Sequence, residues 1–395
     1  MTEIKKLSDI AEFINGGAWD QGSYSDKGIA VVRVSDVKNG EIDLSQCKFL
    51  KKELSEKYKK HQLQEDDLII CTVGSHPTQP GSVVGRTAVV SSEVTGSYLN
   101  QNAVLLRAKE GFDQKWLGFL GSNPDFHSYI KAHARGAASQ VRMSISALKE
   151  MPIPSISLAQ QKKSSDILDT YRSSIRNNLK KIKVLEKMAQ TIYIEWFVNF
   201  RFPGHENVNL VDSKTDFGEI PEGWKIMKVE DLLERIQSGK KYDNKTVVKH
   251  GVVPVLDQGK KGTIGYHNDE PGIIASKEQP IIVFANHTCY QNLILYSFST
   301  IQNVLPFLPT ENRNIYWLHW ATKDLIKFND YKGHWPEFTS KKSLVPTAEL
   351  TNKFGDLISP MVKLKYDLER QNKVLTETRD LLIPKLVTGE IEIKA

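Results

Sequence analysis

Leu168-Asp169-Thr170-Tyr171-Arg172-Ser173-Ser174-Ile175-Arg176-Asn177-Asn178-Leu179-Lys180-Lys181-Ile182-Lys183-Val184-Leu185 decides how this chain folds. It lies within a stretch, Leu158 to Trp196, that holds neither glycine nor proline. Leu168, Tyr171, Ile175, Asn178, Ile182, Leu185, Ala189, Ile192 and Trp196 recur at alternating steps of three and four. That spacing belongs to a helix whose apolar seam faces another helix, with one polar interruption at Asn178. At 1.5 Å per residue the helix would be about 55 Å long. It is expected to stop before Phe202-Pro203-Gly204.

A second seam closes the chain: Leu350, Phe354, Leu357, Met361, Leu364, Leu368, Gln371, Leu375, Thr378 and Leu382. Pro360 precedes a seam position, so the first turns are expected to be kinked or separate. A shift of 193 residues lays Leu168 on Met361, Tyr171 on Leu364, Ile175 on Leu368, Asn178 on Gln371 and Ile182 on Leu375, with the two polar breaks coinciding. Lys183-Val184-Leu185 matches Lys373-Val374-Leu375 at a shift of 190 instead, and both alignments stand open. Two seamed helices in one chain most simply pair with each other. Antiparallel pairing would put Asn178 against Gln371, where a buried hydrogen bond fixes register.

Outward from the helices lie two mixed blocks. In the first, Ile29–Val34, Asp67–Val73, Gly85–Val90 and Asn102–Leu106 read as strands, being β-branched and bounded by polar turns. Trp116 to Ala132 reads as a helix, and Met151-Pro152-Ile153-Pro154 ends the block. In the second, Pro254–Leu256, Gly272–Ala275 and Pro280–Phe284 read as strands and Tyr316 to Ile326 as a helix. The openings repeat: Ile4–Ile10 is similar to Trp224–Leu232. The expected order is a mixed α/β domain over 1–157, a long helix over 158–200, a second such domain over 201–346, a second long helix over 347–384 and a tail over 385–395. The fold class is α+β: two mixed α/β domains separated by two long antiparallel coiled-coil helices, in an internal pseudo-two-fold repeat. A duplication this long is two copies of a domain, not a solenoid.

The 395 residues suggest two or three domains, and the 40% apolar fraction is enough for real cores. No run approaches the length of a membrane span, and no apolar stretch follows Met1 as in a secretory signal. Cys47, Cys71 and Cys289 are too few and too scattered for a disulfide framework or a zinc site, so a reducing cytoplasm is expected. The net charge of +6 is concentrated: residues 158–203 hold nine Lys and Arg against four Asp and Glu, while the larger blocks are nearly balanced. Anion sites in those blocks must come from local arrangement.

Catalytic motifs are missing. Gly81-Ser82-Val83-Val84-Gly85-Arg86-Thr87 has the wrong spacing for a phosphate loop, and Asn123-Pro124-Asp125-Phe126 lacks the glycine-rich partner a methyltransferase needs. No His-Glu-x-x-His or Gly-x-Ser-x-Gly is present. Groups suited to nucleic acid are present in both blocks. In the first these are Thr72, Ser75, Thr78, Gln79 and Arg86 around a Pro/Gly-broken loop, Asn100, Gln101 and Asn102 at a strand start, and Arg135, Gln140 and Arg142 in another loop. Amides and guanidiniums make bidentate contacts to base edges. In the second, Lys240, Lys241, Lys260 and Lys261 can neutralise phosphates, and His287, Tyr290, Gln291, Lys332 and His334 sit near strand ends and loops.

With these pieces in view the sequence resembles the specificity subunits of type I restriction–modification systems. The resemblance is carried by Leu148-Lys149-Glu150-Met151-Pro152-Ile153-Pro154 running to Leu158-Ala159-Gln160-Gln161-Lys162-Lys163, by Leu185–Gln190 through Trp196–Phe200, and by Arg379-Asp380-Leu381-Leu382-Ile383-Pro384-Lys385-Leu386 with Gly389-Glu390-Ile391. The resemblance implies two target recognition domains, each reading half of a bipartite double-stranded DNA site. It implies an antiparallel spacer that sets the gap and docks two methyltransferase subunits, which bring S-adenosylmethionine. Restriction and translocase subunits would bring ATP and Mg, and this chain would have no catalysis or cofactor of its own. Read without the resemblance, the same architecture also suits a coiled-coil scaffold with two protein-binding heads.

Overall fold

The protein was analysed as a computed structural model that describes residues 3–38, 40–75, 81–137, 140–259 and 262–393, with backbone only at 137 and 140. It divides into two compact units: residues 1–176 with 372–395, and residues 177–371. Two long helices, α1 (Leu158–Tyr193) and α2 (Ala348–Thr388), each contribute to both.

Unit 1 is built on two four-stranded sheets. In the first, strands 87–89, 68–71, 103–108 and 11–15 follow one another, all antiparallel. In the second, the order is 98–99, 29–32, 48–50 and 24–25, with the first pair parallel. Leu68-Ile69-Ile70-Cys71 is an unbroken apolar run because both of its faces are covered. Leu68 and Ile70 pack with Val104, Leu106 and Trp116. Ile69 and Cys71 pack with Val32, Leu99 and Leu105 on the other side. Burial pushes the Cys71 thiol up to about 12.

Unit 2 repeats the first sheet in full and three strands of the second, with the fourth strand at the opposite edge. Its sheets run 233–235, 304–309, 281–285, 291–294 and 241–242, 299–301, 253–256, 263–267. The pair 299–301 and 253–256 is again parallel. Ile282, Phe284 and Phe307 pack under the helix Ile315–Thr322, and Ile281, Val283 and Val304 pack with Leu256 and Phe298. Single hydrogen bonds recur as well. Leu7 N donates to Met151 O at 2.8 Å, as Val229 N does to Lys341 O. Lys109 N donates to Ile10 O at 2.9 Å, and Thr310 N to Leu232 O at 3.0 Å. The strand pairs Glu3–Lys6 with Pro152–Ser155 and Lys225–Lys228 with Lys342–Val345 close each block just before its long helix. These equivalences favour the 190-residue shift at the helix starts.

The helices pack antiparallel within each unit. In unit 1, Leu168 shares a core with Ile383, Leu386 and Val387, and Ser164 Oγ donates to Leu386 O at 3.1 Å. In unit 2, Ala189 and Phe197 share a core with Leu350, Phe354 and Ile358. The seam interruption is a bonded pair: Asn178 Nδ2 donates to Gln371 Oε1 at 2.9 Å. Lys365 reaches Glu186 at 2.6 Å.

Several expectations need correction. Helix α2 runs unbroken through Pro360, whose missing N–H leaves the carbonyl four residues earlier, at exposed Asp356, without its intrahelical partner. It also continues past Pro384 to Thr388, so part of the expected tail is helix and holds the core residues Leu386 and Val387. Leu357 and Leu364 were expected in the seam but are 42% and 48% exposed. The buried line passes through Ile358 and Leu368, with Lys365 partly buried between them, while Ile182 is buried and Tyr171, Ile175, Leu185, Met361 and Leu375 are partly buried. The expected helix over Trp116 to Ala132 is two helices, Gln114–Leu120 and Pro124–His133, the second capped by Asn123. Gly272–Ala275 supplies only an isolated bridge, Ile273 to Phe298.

Candidate nucleic-acid interface

Several of the polar residues singled out in unit 1 meet on one three-stranded ribbon, ordered 134–137, 140–143, 73–74. Arg135 stands directly opposite Arg142, and Arg142 opposite Val73. Side chains alternate across a strand. Ala134, Val141 and Met143 therefore turn into the core, and Arg135 and Arg142 turn outward and are exposed. Neither arginine pairs with an acid among the described residues. Thr72 leads into the ribbon: its hydroxyl donates to Asn102 O at 2.9 Å, and its carbonyl accepts from Met143 N at 2.8 Å. Ser75 follows, its carbonyl taking the Ser82 hydroxyl at 2.6 Å. Gln140 shares the ribbon backbone. Thr78 and Gln79 lie outside the described residues.

Other residues are drawn inward. The Arg86 guanidinium donates to Ser82 O at 2.7 Å, Gly81 O at 2.7 Å and Val37 O at 3.2 Å, so its donors clamp a loop. It lines a cleft of about 560 Å³ with Lys38, Gly40, Thr87, Ser122 and His127. Burial holds the His127 ring below its ordinary pKa. Asn100, Gln101 and Asn102 form a turn, with Ala103 N donating to Asn100 O and Gln101 N to Gly17 O. A side chain at Gly16 would collide with Asn100 O, which is why glycine stands there. Gln101 projects from this turn and is exposed.

In unit 2 Lys240 and Lys241 are partnered. Lys240 reaches Asp269 at 2.8 Å, and Asp269 also accepts from the Tyr242 hydroxyl at 2.9 Å. Lys241 Nζ donates to Ser238 Oγ and to Thr300 Oγ1, and burial lowers its pKa. Lys260 and Lys261 lie outside the described residues. Gln291 is buried, donating to His319 O at 2.9 Å and accepting from Thr322 Oγ1 at 3.1 Å. Burial pushes the neighbouring His319 down to about 3, although part of that residue stays accessible. His334 is fully buried, with one ring nitrogen 3.0 Å from Asp330 O and the other 3.4 Å from Glu337. Tyr290 is half-buried beside Lys365, Glu369 and Glu186.

His287 belongs to a more open group. Its Nδ1 lies 2.9 Å from Lys332 O, and its ring stacks on Tyr331 at 4.8 Å. Tyr331 is 78% exposed, and Lys332 and Phe328 are exposed nearby. Sequence reasoning passed over Tyr331 and Phe328. The available signal was two aromatics in a loop without helical or strand periodicity, flanked by Asp330 and Lys332.

Residues 2–187 match a family model described as the type I restriction modification DNA specificity domain. The chain is 25% identical over 425 residues to the type I restriction enzyme MjaIX specificity subunit of Methanocaldococcus jannaschii, covering 99% of this chain and 94% of that one. It is 24% identical to the putative MjaX specificity subunit of the same organism, over 71% of this chain and 64% of that one. The crystal structure of a type I restriction–modification S subunit from M. genitalium shares the fold, with a TM-score of 0.63 at 15% identity, covering 97% of this chain and 95% of that one. In the matched domain, in an alignment over nearly the whole length and in its fold, this chain is similar to type I restriction–modification specificity subunits.

Proposed function

We propose that this chain supplies the target sequence for a type I restriction–modification complex. Each globular block reads one half of a bipartite double-stranded DNA site. The paired helices set the gap between halves and dock two methyltransferase subunits. Those subunits bring S-adenosylmethionine, and restriction and translocase subunits bring ATP and Mg. This chain contributes recognition without chemistry of its own and works in the cytoplasm.

The duplication carries the reading. One four-stranded sheet occurs twice in the same strand order, each time beside a second sheet that shares three strands in the same order, and each copy has an exposed group of cationic or aromatic side chains on it. Half-sites at fixed spacing suit such a duplicated reader. The test is methylome sequencing of a host that carries the chain with its methyltransferase partner. A single bipartite motif that disappears when the chain is deleted is expected. Methylation unaffected by the deletion, or partners bound with no sequence preference, would overturn the reading in favour of a protein scaffold.

A further inference from the structure

We propose that Arg135 and Arg142 together read guanine in the half-site taken by unit 1. The proposal rests on the DNA-reading function given above and names the side chains and the base.

The two arginines are directly paired across the antiparallel ribbon. Residues so paired share a face, with β-carbons about 5 Å apart. Both are exposed, and neither makes an ion pair or side-chain hydrogen bond to a described residue. Like charges held at that spacing repel, so the arrangement weakens the isolated ribbon. A ligand rich in acceptors removes that cost. The other face of the ribbon is fixed in the core by Val141, Met143 and Ala134, so the guanidiniums stand on an anchored support. The arginines lie on the antiparallel pair 134–137 and 140–143, and a two-stranded ribbon of this kind fits the major groove of B-form DNA.

Guanine is favoured over phosphate by shape. The guanidinium is a planar fork that matches O6 and N7 of guanine together, whereas neutralising a phosphate needs only a cation. Arg86 shows the opposite use of the same side chain in this unit, its donors directed to three carbonyls. Arg135 and Arg142 have no such internal employment among the described residues.

The experiment compares methylation motifs in hosts carrying the chain and its methyltransferase partner, with the wild-type chain or R135K, R142K, R135Q or R142Q. Each variant should lose preference for a guanine in one half-site by roughly ten- to a hundredfold, leaving the other half and the spacer unchanged. Lysine should not rescue, because it keeps the charge but loses the fork. Melting curves should match wild type, and the lysine variants keep the test readable if a glutamine variant folds poorly. Lysine variants with the wild-type motif, alongside glutamine variants weakened equally at every site, would overturn base reading in favour of phosphate contact. An affected half-site without guanine would also overturn it. A wild-type chain that yields no bipartite motif would instead remove the underlying function, whatever the variants do.

Discussion

The two units share a frame and differ in what is hung on it. Between the helix under the first sheet and the short helix before the closing strand, unit 1 inserts residues 121–144: a second helix, Pro124–His133, and the arginine-bearing ribbon. Unit 2 has only residues 323–334 at the equivalent place, carrying Phe328, Tyr331 and Lys332. The first sheet keeps its strand order because its central strand is buried on both faces, where a one-residue slip would invert the packing, whereas the second sheet carries its edge strand at opposite ends in the two units. The inserts differ in how they are anchored, that of unit 1 through Phe126, Ile130, Ala134, Val141 and Met143, and they differ in what they expose. On the proposed function, the frame would fix where a reader sits and the insert would decide what it reads.

The units also hold the long helices differently, which gives the largest testable effect. Unit 1 grips α1 and α2 with aliphatic packing at Leu168, Ile383, Leu386 and Val387, and with Lys115, Arg172, Asp169 and Asp66 in a charged cluster. Unit 2 uses an aromatic cluster of Tyr193, Trp196, Phe197 and Phe354. Ending the chain at Pro384 removes Leu386 and Val387, each worth roughly 1.5–3 kcal/mol of burial. It also orphans the buried Trp116 Nε1, which donates to Val387 O at 3.1 Å. A loss on the order of 5 kcal/mol is expected in unit 1. Limited proteolysis should then cut unit 1 while unit 2 resists. Equal resistance of both units would show that the end of α2 does not hold unit 1.

A smaller effect should separate the units by pH. His319 in unit 2 titrates at about 3 when folded, against an ordinary value near 6.5. Between those values the unfolded chain binds a proton that the folded chain does not. Stability from this group is therefore complete above pH 6.5 and falls as pH drops, by at most ~1.4 kcal/mol per unit. Between pH 6.5 and 5, wild type should lose about 1–2 kcal/mol more than H319Q in denaturant melts. Parallel losses in the two proteins would mean that another group controls the acid response. His61 and His127 in unit 1 are also held low by burial, and both proteins retain them.

Much of the frame was legible because its signals are periodic. The three-and-four spacing of Leu168 to Trp196 requires a helix, and Asn178 opposite Gln371 follows from aligning two seams. The precise buried line of α2 was less legible. A strict 3.5-residue repeat drifts from a 3.6-residue helix, and Leu357-Ile358 offers apolar groups to either line. The interface was less legible still. His334, Gln291 and Arg86 have the chemistry of DNA ligands, but the fold directs them to carbonyls and buried partners. Donor type does not say which way a donor faces. Arg135 and Arg142 differ because strand alternation turns them away from a buried face, a fact that appears only once the ribbon's register is known.

Tyr331 gives the smallest effect and the sharpest division between frame and insert. The ring is exposed and packs chiefly against His287. Y331A should leave melting within about 0.5 kcal/mol of wild type, as expected for a surface substitution outside the core. If the insert carries the reading, methylome sequencing should show one position of the unit 2 half-site relaxing by less than roughly tenfold, the scale of a single apolar or stacking contact. The unit 1 half-site and the spacer should not move. A change in the unit 1 half would mean that the copies do not read independently. A drop in melting temperature with an intact motif would mean that the ring supports the frame, and that the loop after the helix Ile315–Thr322 is not where unit 2 meets its bases.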